Sequence, residues 1–598
     1  GMNPRTTFGR TWPVNAACLV AAGLLLATGA RSDAQTTRAA PTAAACAGSN
    51  GGITLSPGFC ATVFADKLGH ARHLAVAPDG VVYVNTWSGR YYHNAAPPPG
   101  GFLLALQDTT GNGRADKIVR FGPTAAQGDK GGTGIAVYKG YVYAETNDRI
   151  VRYALPANGI APTGTAQTVV SGLPLTGDHP MHPFAIDAAG NLYVDLGSAT
   201  NSCQSENRMP NVPGENPCTE LKTRGGTWRY DANRLNQHFS PAERFVTGLR
   251  NGEGISFDSA GRIFATMHGR DQLGQNWPKL YTIKQSAEQP AEELVIERQG
   301  ADFGWPECYY DRFQHKLVLA PEYGGDGGKA VGVCAQKEAP VAAFPGHWAP
   351  NDMLIYEGNQ FPSAYKDGAF IAFHGSWNRA PEPQGGYNVV FQPLAGGKAS
   401  GPFVVFADGF AGAVKQPGQA AHRPTGLAVA PDGALYIADD QGGRIWRVTF
   451  QGGNKASGIA PAAPPPAGAQ AATSGNPLPP EGIHPSAGAA SLPVPPGASP
   501  DQVELGDRIF HGQADGGTCS GCHGTDGKGT AVGSDLTSGK WLWSDGSVQG
   551  ITQTIVHGVP KPKNHTGAMP PMGGVKLSQA DLAAVADYVW AIGHQNVH

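Results

Sequence analysis

Charge is scarce in this chain. Of its 598 residues only 15% are Asp, Glu, Lys or Arg, the 44 basic residues nearly cancel the 47 acidic ones, and the formal net charge is -3. Without a basic stripe there is nothing to track a phosphate backbone, so no nucleic-acid partner is expected. Long apolar runs are missing too. The apolar stretch at residues 16–30, behind Arg5 and Arg10, is too short for a comfortable bilayer span and leads into small residues that end at Ala34. It reads as a secretory signal peptide over residues 1–34, with an uncleaved amino-terminal anchor as the alternative. The mature protein is then expected to carry no transmembrane span and to reside in the periplasm.

Helical periodicity is absent over most of the chain, and a recurring phrase stands in its place. It appears as LAVAPDGVVYVNT from Leu74, IAVYKGYVYAET from Ile135, AIDAAGNLYVDLG from Ala185 and ISFDSAGRIFATM from Ile255. It returns as MLIYEG with DGAFIAFHG from Met353, and as LAVAPDGALYIAD from Leu427. Each copy is a short strand, a Gly-containing turn and a second alternating strand, which is a hairpin. A small sheet cannot bury both faces alone, so all-β repeats at this spacing point to a six-bladed β-propeller over residues 45–450. A sandwich or two stacked β domains is the alternative.

Cysteine is limited to nine residues. Cys18 leaves with the signal, and Cys519 and Cys522 belong to a motif treated below. The other six fall into sequence-near couples that an oxidising compartment would pair as Cys46 with Cys60, Cys203 with Cys218 and Cys308 with Cys334, although an even count does not fix connectivity.

Residues 451–497 are rich in Pro, Ala and Gly and nearly free of large apolar side chains, so they read as a linker. A flexible chain of about 45 residues has a typical reach of roughly 35 to 40 Å. Beyond it, in residues 498–598, helical pattern begins. Ser499 to Gln502 has a capping-box form, and Ser578 opens a helix with Leu582, Val585, Ala586, Val589 and Trp590 on one face and Gly593 as its stop.

Between those helices lies Cys519-Ser520-Gly521-Cys522-His523, the C-x-x-C-H spacing that lets two thiols bond the vinyl groups of a haem while the adjacent imidazole binds its iron. A zinc or thioredoxin-type reading needs further soft ligands or a βαβ setting, and neither is present. The order of helix, CSGCHG, a loop with GAMPPMGG and a final aromatic-bearing helix resembles class I cytochrome c. That resemblance implies a small all-α domain carrying haem c, with His523 as proximal ligand and Met569 as distal ligand. Met572 follows as a candidate, then His557 and His565. A thioether there raises the reduction potential, as an electron acceptor requires.

Polar residues recur just before three of the repeats: Gly177-Asp178-His179, Leu249-Arg250-Asn251-Gly252 and His422-Arg423-Pro424. Loops on one propeller rim converge on the axis, so these side chains could form a site for an anionic ligand and a proton transfer. With GDHP, GLRNGEG, HGRDQLGQNWP, AEELVIERQGADFGWPECYYD, FHGSWNR and HRPTGLAVAPDG, the region resembles the soluble pyrroloquinoline quinone (PQQ) sugar dehydrogenases, above all their L-sorbosone dehydrogenase-like members.

That resemblance implies roles. His179 is the general base, with His182 as the alternative. Arg250 polarises the quinone oxygen, Asn251 helps hold the cofactor, and Arg423 takes a cofactor carboxylate. Gly269 and Arg270 offer backbone carbonyls to a calcium ion, a hard cation that prefers oxygen. The chain departs from the family pattern where Thr425 replaces an arginine, where Arg379 stands in for a lysine, and where Asp129 and Lys130 replace a glutamine. These departures leave PQQ binding expected and make glucose a doubtful substrate. Asp108 to Asp116 resembles part of a calcium loop but lacks EF-hand spacing, so a plain hairpin turn is expected, and Glu292 with Glu293 reads as a structural calcium site or a solvated pair.

The expected protein is a quinohaemoprotein. A sugar or sugar aldehyde is oxidised with PQQ, and electrons pass through haem c to an external cytochrome, copper protein or oxidase. The rivals are a calcium-dependent propeller lactonase or hydrolase, and a sugar-binding module, each carrying a cytochrome domain.

Overall fold

The computed structural model describes residues 46–86, 99–379, 382–415, 420–465, 469–470, 492–512, 517–524, 526–530 and 532–595. The signal peptide read at residues 1–34 lies outside them. Six sheets of four strands, two of them extended by a fifth, make a six-bladed propeller. Blade 1 begins with the inner strand Ala71–Val76, and blades 2 to 6 begin with Ile135–Tyr138, Phe184–Ile186, Ile255–Phe257, Pro350–Ile355 and Pro424–Val429. These six inner strands are neighbours around a closed ring. All six repeats are the inner hairpins of successive blades.

The repeated turn has a local cause. In Ala77-Pro-Asp-Gly80 the backbone reverses with Gly80 N donating to Ala77 O at 2.9 Å, and the Asp79 carboxylate accepts Val81 N at 3.1 Å. Gly80 holds φ 92°, a left-handed conformation that costs glycine least. The identical turn recurs at Gly433, φ 88°. Strand alternation then turns one set of side chains toward each neighbouring blade. Phe64, Leu74, Val82, Val84, Tyr436 and Ile445, for example, fill the layer between blades 6 and 1.

Ring closure comes from the amino terminus. The strand Phe59–Ala65 is the outer strand of blade 6, antiparallel to Ile445–Phe450 with Phe59 opposite Phe450, while Thr54–Leu55 extends blade 5 beside Val404–Asp408. Neither segment carries the repeated phrase. The disulfides are Cys46–Cys60, Cys203–Cys218 and Cys308–Cys334, with Cα separations of 5.6, 6.1 and 5.8 Å. The first ties the chain start to the closing strand.

The segment read as a linker starts against the propeller. Lys455 O accepts Ser363 N at 3.0 Å, Ala460 O accepts Ser56 Oγ at 2.6 Å, and Ala462 N donates to Val405 O at 2.7 Å. Residues 451–465 therefore need no core of their own, because backbone hydrogen bonds lay them along blade 5 and its closing segment. Residues 471–491 lie outside the described part.

The carboxy-terminal domain has helices Pro500–Phe510, Cys519–His523, Val548–His557 and Gln579–Gly593. The first is closed by the expected capping box, with Gln502 N donating to Ser499 Oγ at 3.2 Å and Ser499 N to Gln502 Oε1 at 3.0 Å. Ser578 caps the last through Asp581 N at 3.1 Å. The two helices cross so closely that a Cβ on Gly506 would lie 1.9 Å from Ala584 O. Leu582, Val585, Ala586 and Val589 are buried as expected, while Trp590 is only half-buried and stacks on His594 at 3.9 Å. Among the described residues no helix is long and apolar enough to cross a membrane.

The closing blade gives a stability prediction. Trp446 is fully buried, meets Phe410 edge-on at 5.0 Å, and donates Nε1 to Gly51 O at 3.1 Å. Trp446→Ala should cost about 3–5 kcal/mol, read as a lowered midpoint in urea unfolding.

Candidate functional site

Each inner strand begins, and each second strand ends, at the same propeller edge because the pair is antiparallel. That edge therefore collects two residue sets per blade. Arg72 enters from blade 1, Asn251 and Glu253 from blade 4, Arg423 from blade 6, and His374 and Asp440 follow the second strands of blades 5 and 6. All are buried. Arg72 Nη1 donates to Asp440 Oδ2 at 2.7 Å, its Nη2 to Glu253 Oε2 at 3.3 Å, and its Nε to Thr133 Oγ1 at 3.2 Å. His374 Nε2 meets Asp440 Oδ1 at 2.7 Å. Arg423 donates to the carbonyls of His374 at 3.0 Å and Gly375 at 2.7 Å.

Charge placement sets the protonation states. Burial pushes the Asp440 carboxyl up but is outweighed by His374, Arg72 and Arg423, which hold it well below the usual carboxylate range. Burial lifts Glu253 to about 7 against the pull of Arg72. Burial, with Arg423 beside it, lowers His374 to about 4, and burial with Arg250 does the same to His268.

Beside this network stands His179, buried before blade 3. Its Nδ1 lies 2.8 Å from Ser198 O and 3.1 Å from Ser198 Oγ. The Ser198 hydroxyl donates to Thr200 O at 2.6 Å, so Oγ can only accept from the ring. The proton is thereby placed on Nδ1. Nε2 keeps its lone pair, and it is buried without a protein partner. Burial and the nearby Arg250 charge lower this imidazole well below 6.5. Gly197 makes room for the arrangement, since a Cβ there would sit 2.5 Å from His179 Cβ and 2.7 Å from Asn251 Oδ1. Gln272 Nε2 is likewise buried and unpartnered. Unmet buried polar atoms cost roughly 1–3 kcal/mol each, so this set suits a polar ligand such as an oxygen-rich quinone.

In the small domain an open cleft is lined by Cys519, Cys522, His523, His565 and Met569 among apolar walls including Phe510, Ile555 and Val585. Neither cysteine is in a disulfide. His523 Nδ1 lies 2.8 Å from Ser534 O, which places its proton there and leaves Nε2 as the ligand nitrogen. Cleft, thiols and imidazole fit a covalent haem. Met569 lines the cleft as expected; Met572 and His557 are not in its lining.

A family model described as TrAA12-like matches residues 53–451. The chain belongs to that family. A second model, described as cytochrome C oxidase, cbb3-type, subunit III, matches residues 502–589, so a cytochrome c domain follows the TrAA12-like propeller. Curated relatives include an uncharacterized protein of Borreliella burgdorferi, 28% identical over 36% of this chain, and a pyrroloquinoline quinone-dependent pyranose dehydrogenase of Coprinopsis cinerea, 28% identical over 34% of this chain. The chain spans 51% of the first and 31% of the second. Among solved structures, an iodide structure of a Trichoderma reesei family AA12 enzyme aligns with TM-score 0.52 and 19% identity, covering 67% of this chain and 98% of that one. The holo form of the pyranose dehydrogenase PQQ domain from Coprinopsis cinerea aligns with TM-score 0.50 and 20% identity, over 66% and 97%. These likenesses show the propeller fold.

Within the TrAA12-like propeller the expected residues divide. His179, Arg250, Asn251 and Arg423 stand on one edge, where Arg423 joins the network of Glu253, Arg72, Asp440 and His374 through the His374 carbonyl. His182 differs from His179 in its surroundings: its Nε2 meets Pro174 O at 2.6 Å, and a carboxylate oxygen, Glu145 Oε1, stands 3.2 Å from its Nδ1. Arg250 is committed at all three nitrogens, to Asn201 O and Oδ1 at 3.0 Å each, Gly269 O at 3.0 Å and Asp271 Oδ2 at 3.2 Å. What it offers its surroundings is its charge, since its donors are already taken. The same contact faces the Gly269 carbonyl toward a guanidinium, a poor neighbour for a divalent cation, and the Arg270 side chain forks onto Glu322 at 2.5 and 2.7 Å.

Arg379 does not join the site. It donates to Glu288 Oε1 at 2.7 Å and to the carbonyls of Ala287, Gly346 and Pro383. Asp129 and Lys130 pair instead with Asn147, and the residue of that segment that reaches the network is Thr133. Glu292 is no solvated group: it is buried, accepting Gly269 N at 2.9 Å and Ala349 N at 2.8 Å, and Glu293 is buried beside it, lifted to about 8 by desolvation and by Glu292. Asp108 folds onto its own loop, accepting the amides of Thr110, Gly111 and Gly113, as a hairpin turn. Sequence reasoning missed Arg72, Asp440, His268 and His374. The signal was present: His-Gly recurs at the end of two second strands, and Arg72 stands just before the first LAVAPDG.

Asp440→Ala leaves Arg72 facing an emptied site and should cost about 3–5 kcal/mol in urea unfolding. The double variant Arg72→Met/Asp440→Leu should recover much of that loss.

Proposed function

We propose that this protein oxidises a sugar, of the aldose, pyranose or sorbosone-like aldehyde class, with PQQ in the propeller, and passes the electrons through haem c to an external acceptor outside the cytoplasm. The observation that carries the reading is His179 Nε2, a buried imidazole lone pair without a partner on the edge where the charged residues of the blades converge. Support for the cofactor and substrate class comes from the PQQ-dependent pyranose dehydrogenase among the relatives. The three disulfides and the cytochrome domain fit the periplasm.

Bound PQQ supplies a two-electron acceptor, and haem c a one-electron carrier. The chain's own residues do the rest. His179 Nε2 takes the proton of the substrate hydroxyl as two electrons leave its carbon, which becomes a carbonyl. Ser198 holds the ring in the tautomer that this requires. The Arg250 charge stabilises negative charge that develops beside it, and Asp271 fixes Arg250 in place. Arg423 and Asn251 are the residues assigned to hold the cofactor's anionic oxygens. Two protons and two electrons leave per sugar oxidised, and the cytochrome domain carries the electrons away singly.

The test is an anaerobic visible spectrum of the haem-loaded protein with PQQ, with and without calcium, against aldoses, sorbosone-like aldehydes and simple alcohols. Ferrous haem bands that grow only with PQQ and a sugar establish the path and name the substrate class. A haem that dithionite reduces and no substrate does would overturn it. His179→Gln should lower turnover by about 10²–10⁴-fold while PQQ binding, followed by titration, persists. Because His179 is held below 6.5, the acidic limb of kcat/KM should lie below pH 6.5. A limb at or above that value assigns the base elsewhere.

A further inference from the structure

A second side chain of iron-binding type, His565, lines the cleft together with Met569. Val559 and Met569 exchange backbone hydrogen bonds, Met569 N to Val559 O at 2.9 Å and Val559 N to Met569 O at 2.7 Å, and so close residues 560–568 into one loop. Its tip is stapled to the facing wall. Lys563 Nζ donates to Leu542 O at 2.9 Å and lies 4.4 Å from the centre of the Trp543 ring. His565 sits between staple and neck and lines the cleft with Met569. Its Nδ1 is buried without a hydrogen-bond partner.

The other candidates are placed differently. His557 Nδ1 lies 2.8 Å from Gln553 O at an exposed helix end, and Met572 sits in a tight left-handed turn, φ 55°, away from the cleft lining. A loop held at its neck and tip thus sets an imidazole, a side chain that binds iron, in the wall of the same cleft as the Met569 thioether.

We propose that His565 is a second distal haem ligand, one that takes the iron when the Met569 thioether leaves it. This rests on the cytochrome reading above. The exchange breaks one iron–sulfur bond and forms one iron–nitrogen bond without changing the oxidation state of the iron. The two states differ in function: thioether ligation raises the potential and suits the haem to accept electrons, whereas two imidazoles lower it and make the haem a poorer acceptor. The loop at 560–568 thus sets whether the cytochrome domain draws electrons.

The experiment uses the full haem-loaded chain and its ferric absorption and electron paramagnetic resonance spectra. Met569→Ala should stay low-spin, lose the far-red sulfur-to-iron band, and show a lower midpoint potential than the parent protein. Met569→Ala/His565→Ala should become high-spin, and His565→Ala alone should keep the far-red band. Met569→Leu, close to Met in volume, is the second variant should the alanine form fold poorly. A high-spin Met569→Ala or Met569→Leu protein overturns the proposal, as does a double variant that remains low-spin. An alkaline pyridine spectrum separates the two readings: without covalent haem in the parent protein, the cytochrome reading fails and this one with it.

Discussion

One buried guanidinium organises the upper edge of the propeller. Arg72 leaves blade 1 and binds Asp440 from blade 6, Glu253 from the entry to blade 4 and Thr133 from the entry to blade 2. A charge removed from water needs every donor satisfied, and here the satisfying groups come from different blades. Their relative positions are therefore fixed by electrostatics as well as by apolar packing. Asn251 and Arg423 stand among these residues, with His179 and Arg250 adjoining through Asn251. The base and the residues assigned to the cofactor are thus parts of a scaffold that cannot shift singly.

The two domains use buried imidazoles in parallel ways. His179 gives its Nδ1 proton to Ser198, and His523 gives its Nδ1 proton to Ser534, so in each case a carbonyl on one side frees the nitrogen on the other. In the propeller the freed nitrogen, kept unprotonated by burial and by Arg250, is the base of the proposed reaction. In the small domain it is the nitrogen that would bind the iron of a haem. One local device serves proton transfer in a charged setting and metal binding in an apolar cleft, and the surroundings decide which.

Much of the architecture was legible because its causes are local. The six hairpins announce themselves through turn residues such as Asp79-Gly80, whose conformation depends on three or four neighbours. Ser499 with Gln502 marks a helix start for the same reason. The C-x-x-C-H motif is legible because covalent haem attachment needs its groups within a single turn. The closing strand Phe59–Ala65 was not legible, since it has no repeat partner and acquires its place only when the ring shuts. The path of residues 451–465 was missed on similar grounds: their composition argues against a core, yet their backbone binds an existing one.

The catalytic edge shows where sequence reasoning stops. Spacing before the repeats was enough to select His179, Arg250, Asn251 and Arg423, because antiparallel hairpins put every inner-strand entry on one side. It was not enough to choose between His179 and His182, three residues apart, or to see that Arg379 turns away toward Glu288 while Arg72 turns inward. The sequence by itself determined the blades, the haem motif and the edge on which the polar residues gather, since all of these follow from short-range periodicity and turn chemistry. Only the tertiary structure decided which of those residues are engaged and which are left with an unmet atom. Hydrogen-bond partners that are hundreds of residues apart, such as Arg72 and Asp440, meet only when the ring has closed.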